Sequence, residues 1–453
     1  METTLSAEKV HTSVSMKRIF KTWWPLAASW LIMSLEGPLM SAIVARLVDP
    51  KINLAAYGGV VFPISLVIES PIIMLLSAST AMSKDYPSYL KLRKVMHILG
   101  ATFTILHALV AFTPLYFFVV NNILGVPPEL VGPARPGLMI MLPWTWTIAY
   151  RRFNQGVMIR FGHSDGVMKC TIVRLTTITG LLFAGYFIGS IQGVIVATTA
   201  QAIGVTFEAL YSGWHLRNIV KYEVKRVPPS TLFTWREFNV FYTPLVFTTL
   251  LQFLGNPIGS AALSRMPQAI DSLAVWGVVL SLVFLTRSFG NGLNEVVLAL
   301  MDEKGSFLNL EKFTRILAGI ITAAVAILFL TPFSQVWFEK VTGLSLPLSQ
   351  LARNALPFFL LVPALGVFQS WFQGSILFGR KTRSITESVA IYLGVYVAIL
   401  SLGVAWGNIT GLYVGAVGFG IASIAQTGWL LVRSRHIRNQ VRERDERLEE
   451  SAP

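Results

Sequence analysis

Charge is scarce in this chain. Only 13% of its residues are Asp, Glu, Lys or Arg, and 53% are hydrophobic, whereas soluble globular domains carry about 25% charged residues. That shortage excludes an ordinary soluble domain. Cysteine is scarcer still. Cys170 stands alone, so there is no intrachain disulfide and no thiolate metal site to expect. The six histidines, His11, His97, His107, His163, His215 and His436, are scattered. The chain contains no H-E-x-x-H and no G-x-x-x-x-G-K-[ST], so neither a zinc-hydrolase helix nor an ATP-hydrolysing P-loop is encoded. An embedded transferase would need a tight catalytic cluster, and none is visible. The expectation is a protein that is not an enzyme and holds no cofactor.

What is present is apolar sequence in long runs, with a mean hydropathy of +0.60. Twelve apolar segments fall between residues 23 and 432, each near the ~20 residues that cross a bilayer as a helix. Barrel strands would be shorter and would alternate. The expected fold is an all-α integral membrane protein of about twelve transmembrane helices, multi-pass in a plasma or bacterial inner membrane. The net charge of +14 does not call for nucleic acid, because Lys and Arg collect in cytoplasmic loops.

Most of the 37 basic residues do segregate to one side. They include Lys9, Lys17, Arg18, Lys84, Lys91, Arg93, Arg160, Arg217, Lys225, Lys304, Arg315, Arg380, Arg383 and Arg433. The opposite side has Arg46, Lys51, Arg135, Arg265, Lys340 and Arg353. This asymmetry predicts cytoplasmic termini. The expected division is a cytoplasmic N-terminal segment 1–22, an N-lobe 23–214 with spans 1–6, and a basic linker 215–237. A C-lobe 238–432 with spans 7–12 and a charged tail 433–453 complete it.

The halves repeat. "PLMSAIVARLVDPKINLAAYGG" from Pro38 aligns without a gap on "PIGSAALSRMPQAIDSLAVWGV" from Pro257. Ser41/Ser260, Arg46/Arg265, Leu54/Leu273 and Gly58/Gly277 coincide. Gln155-Gly156 and Gln373-Gly374 match at nearly the same offset. With six spans each, the halves enter from the same side. They are parallel repeats, with a central cavity expected between them.

A charge at mid-bilayer costs roughly 2.5–3.5 kcal/mol on insertion scales, so it usually faces protein or water. Glu36, Glu69 and Arg287 fall near span centres. Arg151 and Arg152 fall about two turns inside span 4, and Arg174 a similar distance into span 5. Glu208, Glu295 and Glu387 read as nearer the ends, where snorkelling is the simpler account. Arg287, Asn291, Asn294 and Glu295 have the spacing of one helical face, as do Arg151, Asn154 and Gln155. Glu69 and Arg287 are expected at nearly equal depth, bridging the halves or paired within them. Glu36 precedes Gly37-Pro38, so a kink is expected beside a carboxylate.

Twelve spans in parallel halves, a bent acidic first helix and "FNQGVMIRFGHSD" resemble the multidrug/oligosaccharidyl-lipid/polysaccharide (MOP) exporter superfamily. "LEG" at 35–37, "AAYG" at 55–58, "GLNE" at 292–295 and "SWFQGSILFGRKT" at 370–382 are similar to the progressive ankylosis protein family. The next likeness is to multidrug and toxin extrusion (MATE) transporters. The resemblance implies alternating access by two lobes and export of citrate-, pyrophosphate- or nucleotide-like anions. A MATE likeness implies instead efflux of organic cations coupled to a proton or sodium ion. A lipid-linked saccharide flippase is a third reading.

The anion reading takes Arg151, Arg152, Arg287, Asn291, Asn154, Gln155 and Gln373 as cavity residues. Glu36, Glu69 and Glu295 become the coupling candidates, with a proton or sodium ion as the coupling ion. The expected partners are the anion substrate and membrane lipids, with the chain acting as a monomer.

Overall fold

A computed structural model describes residues 14–450, except 230, 231, 304, 380 and 382. Lys9, His11, Lys304 and Arg380, named above, lie outside the described residues. The helices are α1 (Met16–Val44), α2 (Pro50–Met82), α3 (Tyr86–Phe112), and α4 in two pieces (Pro128–Ile140 and Leu142–Arg160). They continue with α5 (Ser164–Ile188), α6 (Gly193–Tyr222), α7 (Trp235–Leu263), α8 (Ala269–Leu300) and α9 (Ser306–Leu330). The last three are α10 (Leu346–Phe378), α11 (Arg383–Trp406) and α12 (Gly411–Glu450). Among the described residues there is no strand, only an isolated bridge between Val48 and Gln192.

Eleven of these helices are long and apolar enough to cross a membrane, and the chain is a multi-pass membrane protein. Expectation and structure differ at α4, which falls short of that measure. Its second piece carries Arg151, Arg152, Asn154, Gln155 and Arg160. The segment read as a linker is also partly helical. α6 runs on to Tyr222, Val224–Arg226 forms a short 3-10 turn, and α7 starts at Trp235 behind a Thr234/Glu237 capping box. The tail continues α12 as one helix to Glu450. Its Asp445 is buried and accepts from Phe307 N at 3.0 Å, while Arg444 bonds the carbonyls of Met301 and Glu303. Asn309 meets Val14 O at 3.0 Å, so the first described residues and the end of α12 lie at the same end of the bundle.

Proline and glycine set the breaks. Pro38 has no N–H for the carbonyl one turn before it, and α1 breaks at Leu35, so that a new helix starts at Glu36. α2 breaks at Met74 after Pro71, and α8 breaks at the repeat-related Gly292. The reading of Arg287, Asn291, Asn294 and Glu295 as one continuous face is corrected here. The turn at Gly292 separates the first two from the last two. Glycine is needed there because a Cβ would stand 2.8 Å from Leu26 Cβ on α1.

The repeat is visible as paired contacts. Gly58 and its equivalent Gly277 touch each other, and a Cβ on either would lie 3.3 Å from the other's Cα. Two residues related by a two-fold axis meet only on that axis, so α2 and α8 cross there. Each half then reaches into the other. Trp23 of α1 donates to Phe289 O at 3.0 Å, and Tyr242 of α7 donates to Pro71 O. At the far end, Arg46 donates to Lys340 O at 2.5 Å, and Arg265 to Leu124 O at 2.7 Å. The two guanidinium groups lie over Gly343 and Gly125, both at positive φ, where a side chain would be strained and would meet them within 2.9 Å.

Candidate functional site

Polar groups with no water to bond must find partners inside the protein. In the first half they find each other. Arg151 of α4 donates from Nη1 to Glu208 Oε1 of α6 at 3.0 Å, and Gln155, one turn on, reaches the same oxygen at 3.1 Å. Arg174 of α5 brings Nε to 3.6 Å from Glu208 Oε2 and Nη2 to 3.2 Å from Glu36 Oε2. The Arg151 and Glu208 side chains are 6% and 0% exposed, against 9% and 15% for Arg174 and Glu36. Asn154 donates to Ser212 Oγ at 3.0 Å, which extends the α4–α6 seam by one turn.

Glu69 of α2 is buried beside this chain, and its Oε2 has no hydrogen-bond partner among the described residues. The cations acting on it are Arg151, Arg152 and Arg174. Arg152 feels both Glu208 and Glu69. The cluster therefore sets three guanidinium groups against three carboxylates, gathered from α1, α2, α4, α5 and α6. Its formal charge is zero. The kink of α1 starts at one of its members, and Gly37 allows the kinked segment to lie close to Ser281 of α8, whose Cβ would be 2.9 Å from a Cβ at residue 37.

The second half repeats the geometry without the charge. Gln369 stands where Arg151 stands in the repeat, and Thr427 lies within one residue of the equivalent of Glu208. Gln369 Nε2 donates to Thr427 Oγ1 at 3.0 Å. Arg287 of α8 donates to Gln369 Oε1 at 3.1 Å. Among the described residues no carboxylate lies within ion-pair distance of Arg287.

The residues singled out in the sequence thus separate into groups. Glu36, Glu69, Arg151, Arg152, Asn154 and Gln155 come together, while Arg287 lies in the other half, on Gln369. Of the two expectations for Glu69 and Arg287, a bridge across the halves is not seen; each finds its neighbours within its own half, Glu69 beside Arg151, Arg152 and Arg174 and Arg287 on Gln369. Glu295 is exposed on α8 and touches neither group. Asn291 and Gln373 are half-buried. Gly156 and Gly374, the glycines of the paired Gln-Gly steps, are packing residues. A Cβ there would lie 2.4 Å from Leu76 O and 2.8 Å from Asn294 O respectively.

Glu208 and Arg174 are the residues that spacing undervalued. Glu208 seemed to sit near a helix end because the apolar run stops at about residue 213. The helix continues to Tyr222, which puts Glu208 at its middle. The polar Trp214-His215-Leu216-Arg217 stretch disguised that continuation. Glu387, by contrast, does lie near an end, paired with Arg383 and Arg433 at 3.2 Å. Among the described residues no group of three or more metal-ligating side chains occurs.

No protein-family model matches the chain, and no curated protein does. Solved structures do. An inward-facing multidrug-resistance MATE transporter of the MOP superfamily superposes with a TM-score of 0.68 at 16% identity, covering 92% of this chain and 99% of that one. The lipid II flippase MurJ, in an inward closed conformation, gives 0.69 at 15% identity over 92% and 90%. A MOP-superfamily transporter from Pyrococcus furiosus gives 0.62 at 15% identity over 98% and 100%.

The chain has the fold that these transporter and flippase structures share. Within the MATE/MurJ fold, the paired breaks of α2 and α8 and the crossing at Gly58 and Gly277 describe how the two halves meet.

Proposed function

We propose that the chain is an alternating-access membrane transporter that exports small organic or phosphate-bearing anions through a cavity between its halves. Both termini are cytoplasmic in this reading, the lobes are 23–214 and 238–432, and one chain suffices. The observation that carries the anion is the imbalance of guanidinium groups. Arg151 and Arg174 are held by Glu208 and Glu36. Arg287 has only the neutral Gln369. Arg287 is half-buried, so its charge is only partly hydrated, and a carboxylate or phosphate arriving there gains a charge-assisted, fork-shaped contact. The Pyrococcus furiosus transporter of this fold has a binding pocket of reverse polarity, so pocket polarity varies among structures of this fold.

The first-half cluster supplies coupling. A proton on Glu36 removes the charge that holds Arg174. The segment from Glu36 is then free to change its angle at Leu35, and Arg174 falls back on Glu208. A sodium ion among Glu36 and Glu69 would act in the same sense.

The test is uptake into proteoliposomes of citrate, pyrophosphate, ATP or an organic cation, with and without a proton gradient. Anion accumulation that falls at least tenfold in Arg287→Gln is the expected result. Accumulation of the cation alone would contradict the anion assignment, and movement of a lipid-linked substrate alone would make the chain a flippase.

A further inference from the structure

A polar concavity adjoins the cluster at Asn154 and opens between α3, α4 and α6, at the end of the bundle where α3 begins and α6 finishes. Its volume is about 430 Å³, within the roughly 300–1,000 Å³ of small-molecule sites. Four cations line it: Arg93, Arg217, Lys221 and Lys225. Tyr89, Tyr150 and Asn154 are the other polar residues of its wall. No carboxylate lines it.

Basic residues at one end of a membrane protein are ordinary. The arrangement of these four is not accounted for by that rule. They come from two helices and the turn after α6, and they converge on one concavity. None of the four is in an ion pair among the described residues. The nearby carboxylates are engaged elsewhere. Glu223 holds His163 at 2.7 Å, and Asp85 caps α3 through Ser88 N at 2.8 Å. Lys225 lies over the Tyr86 ring at 5.1 Å and Lys221 over Tyr222 at 4.8 Å, contacts that leave their charge uncancelled. The floor is rigid. Tyr89, Phe153 and Asn154 are buried, and the Tyr150 hydroxyl fits against α6 only because residue 213 is glycine, where a Cβ would come within 2.3 Å of it.

We propose that this concavity binds a multivalent phosphate-bearing anion, separately from the site at Arg287. Four like charges on one small rim repel one another, and a dianion or trianion removes that repulsion where a monovalent ion does not. The guanidinium groups of Arg93 and Arg217 match phosphate oxygens in pairs, and the ammonium groups act as point charges. The phosphate has two sources: a soluble polyphosphate, or the headgroup of an anionic lipid.

The experiment uses the full chain in nanodiscs and reads binding, so it does not depend on whether the chain transports an anion. In phosphatidylcholine nanodiscs, inorganic pyrophosphate is titrated by calorimetry. In a second arm, retention of phosphatidylglycerol is read by native mass spectrometry. The expected result is that Arg217→Ala with Lys221→Ala weakens one or both at least tenfold. Lys94→Ala with Arg226→Ala, the same change in charge outside the concavity, leaves them within twofold. Pyrophosphate binding alone identifies a soluble ligand, and lipid retention alone identifies a headgroup. Absence of both, or equal losses in the two double variants, overturns the proposal.

Discussion

The two halves of this protein share a backbone plan and differ in charge. Where the first half sets Arg151 against Glu208, the second sets Gln369 against Thr427, at the same 3.0 Å. The same contrast holds along the first helix of each half. Pro38 accompanies a break in α1, but its equivalent Pro257 sits inside an uninterrupted α7. Proline is therefore not sufficient for the break. The first half has Glu36-Gly37 before its proline, and the second has Gly255-Asn256. The first half thus has a buried ion cluster at a broken first helix, and the second has an unbroken first helix and an Arg287 that, among the described residues, meets no carboxylate.

Removing one member of a buried ion cluster breaks this comparison most severely. Glu208→Ala strands Arg151 and leaves Arg174 with Glu36 alone, and breaking a buried pair typically costs 3–5 kcal/mol. Thr427→Ala removes two neutral hydrogen bonds, the one accepted from Gln369 and the one donated to Ser423 O within the same helix, each worth about 1 kcal/mol or less. Thermal unfolding of the purified protein in detergent should show a large loss for the first and a small one for the second. Similar losses would mean that charge is not what separates the halves.

A transplant sharpens the point. Arg151→Gln with Glu208→Thr gives the first half the chemistry of the second. Replacing both members of a buried pair by neutral groups is often tolerated, although Arg174 then keeps only Glu36. The expected outcome is a stability loss smaller than that of Glu208→Ala together with lost transport, read from unfolding midpoints and proteoliposome flux.

The smallest effects belong to the contacts that the halves share. Arg46→Ala and Arg265→Ala each remove a guanidinium group that spans the halves at the far end. Both should cost about 1 kcal/mol or less, because the contacts are partly exposed, with Arg265→Ala the larger, since across the halves Arg265 reaches the carbonyls of Asn122, Ile123 and Leu124 and Arg46 only that of Lys340. A larger loss in the unfolding midpoint for Arg46→Ala would contradict this.

Much of this architecture was legible in the sequence. Long apolar runs predicted the helices, the Pro38/Pro257 alignment predicted the repeat, and the glycines at 58 and 277 turned out to be the crossing point. The site was legible only in part. Periodicity along one helix found Arg151, Asn154 and Gln155 because they share a face of α4. It did not pair them with Glu208, because the partner lies on another helix more than fifty residues away and spacing carries no information about that. It also misjudged α8, where Gly292 interrupts the face that regular spacing implied. The cation-lined concavity at Arg217 and Lys221 was visible only as loop charge, since its shape comes from three helices meeting.

The most direct measurement is the pH dependence of proteoliposome transport by wild-type protein, Glu36→Gln and Gln369→Glu. The charged half is held to do the coupling, so Glu36→Gln should transport at a rate that no longer changes with pH across the range where the wild type does. Gln369→Glu, which gives Arg287 a carboxylate, should lose anion transport without restoring any other pH response. A Glu36→Gln protein with the full wild-type pH profile would contradict the account.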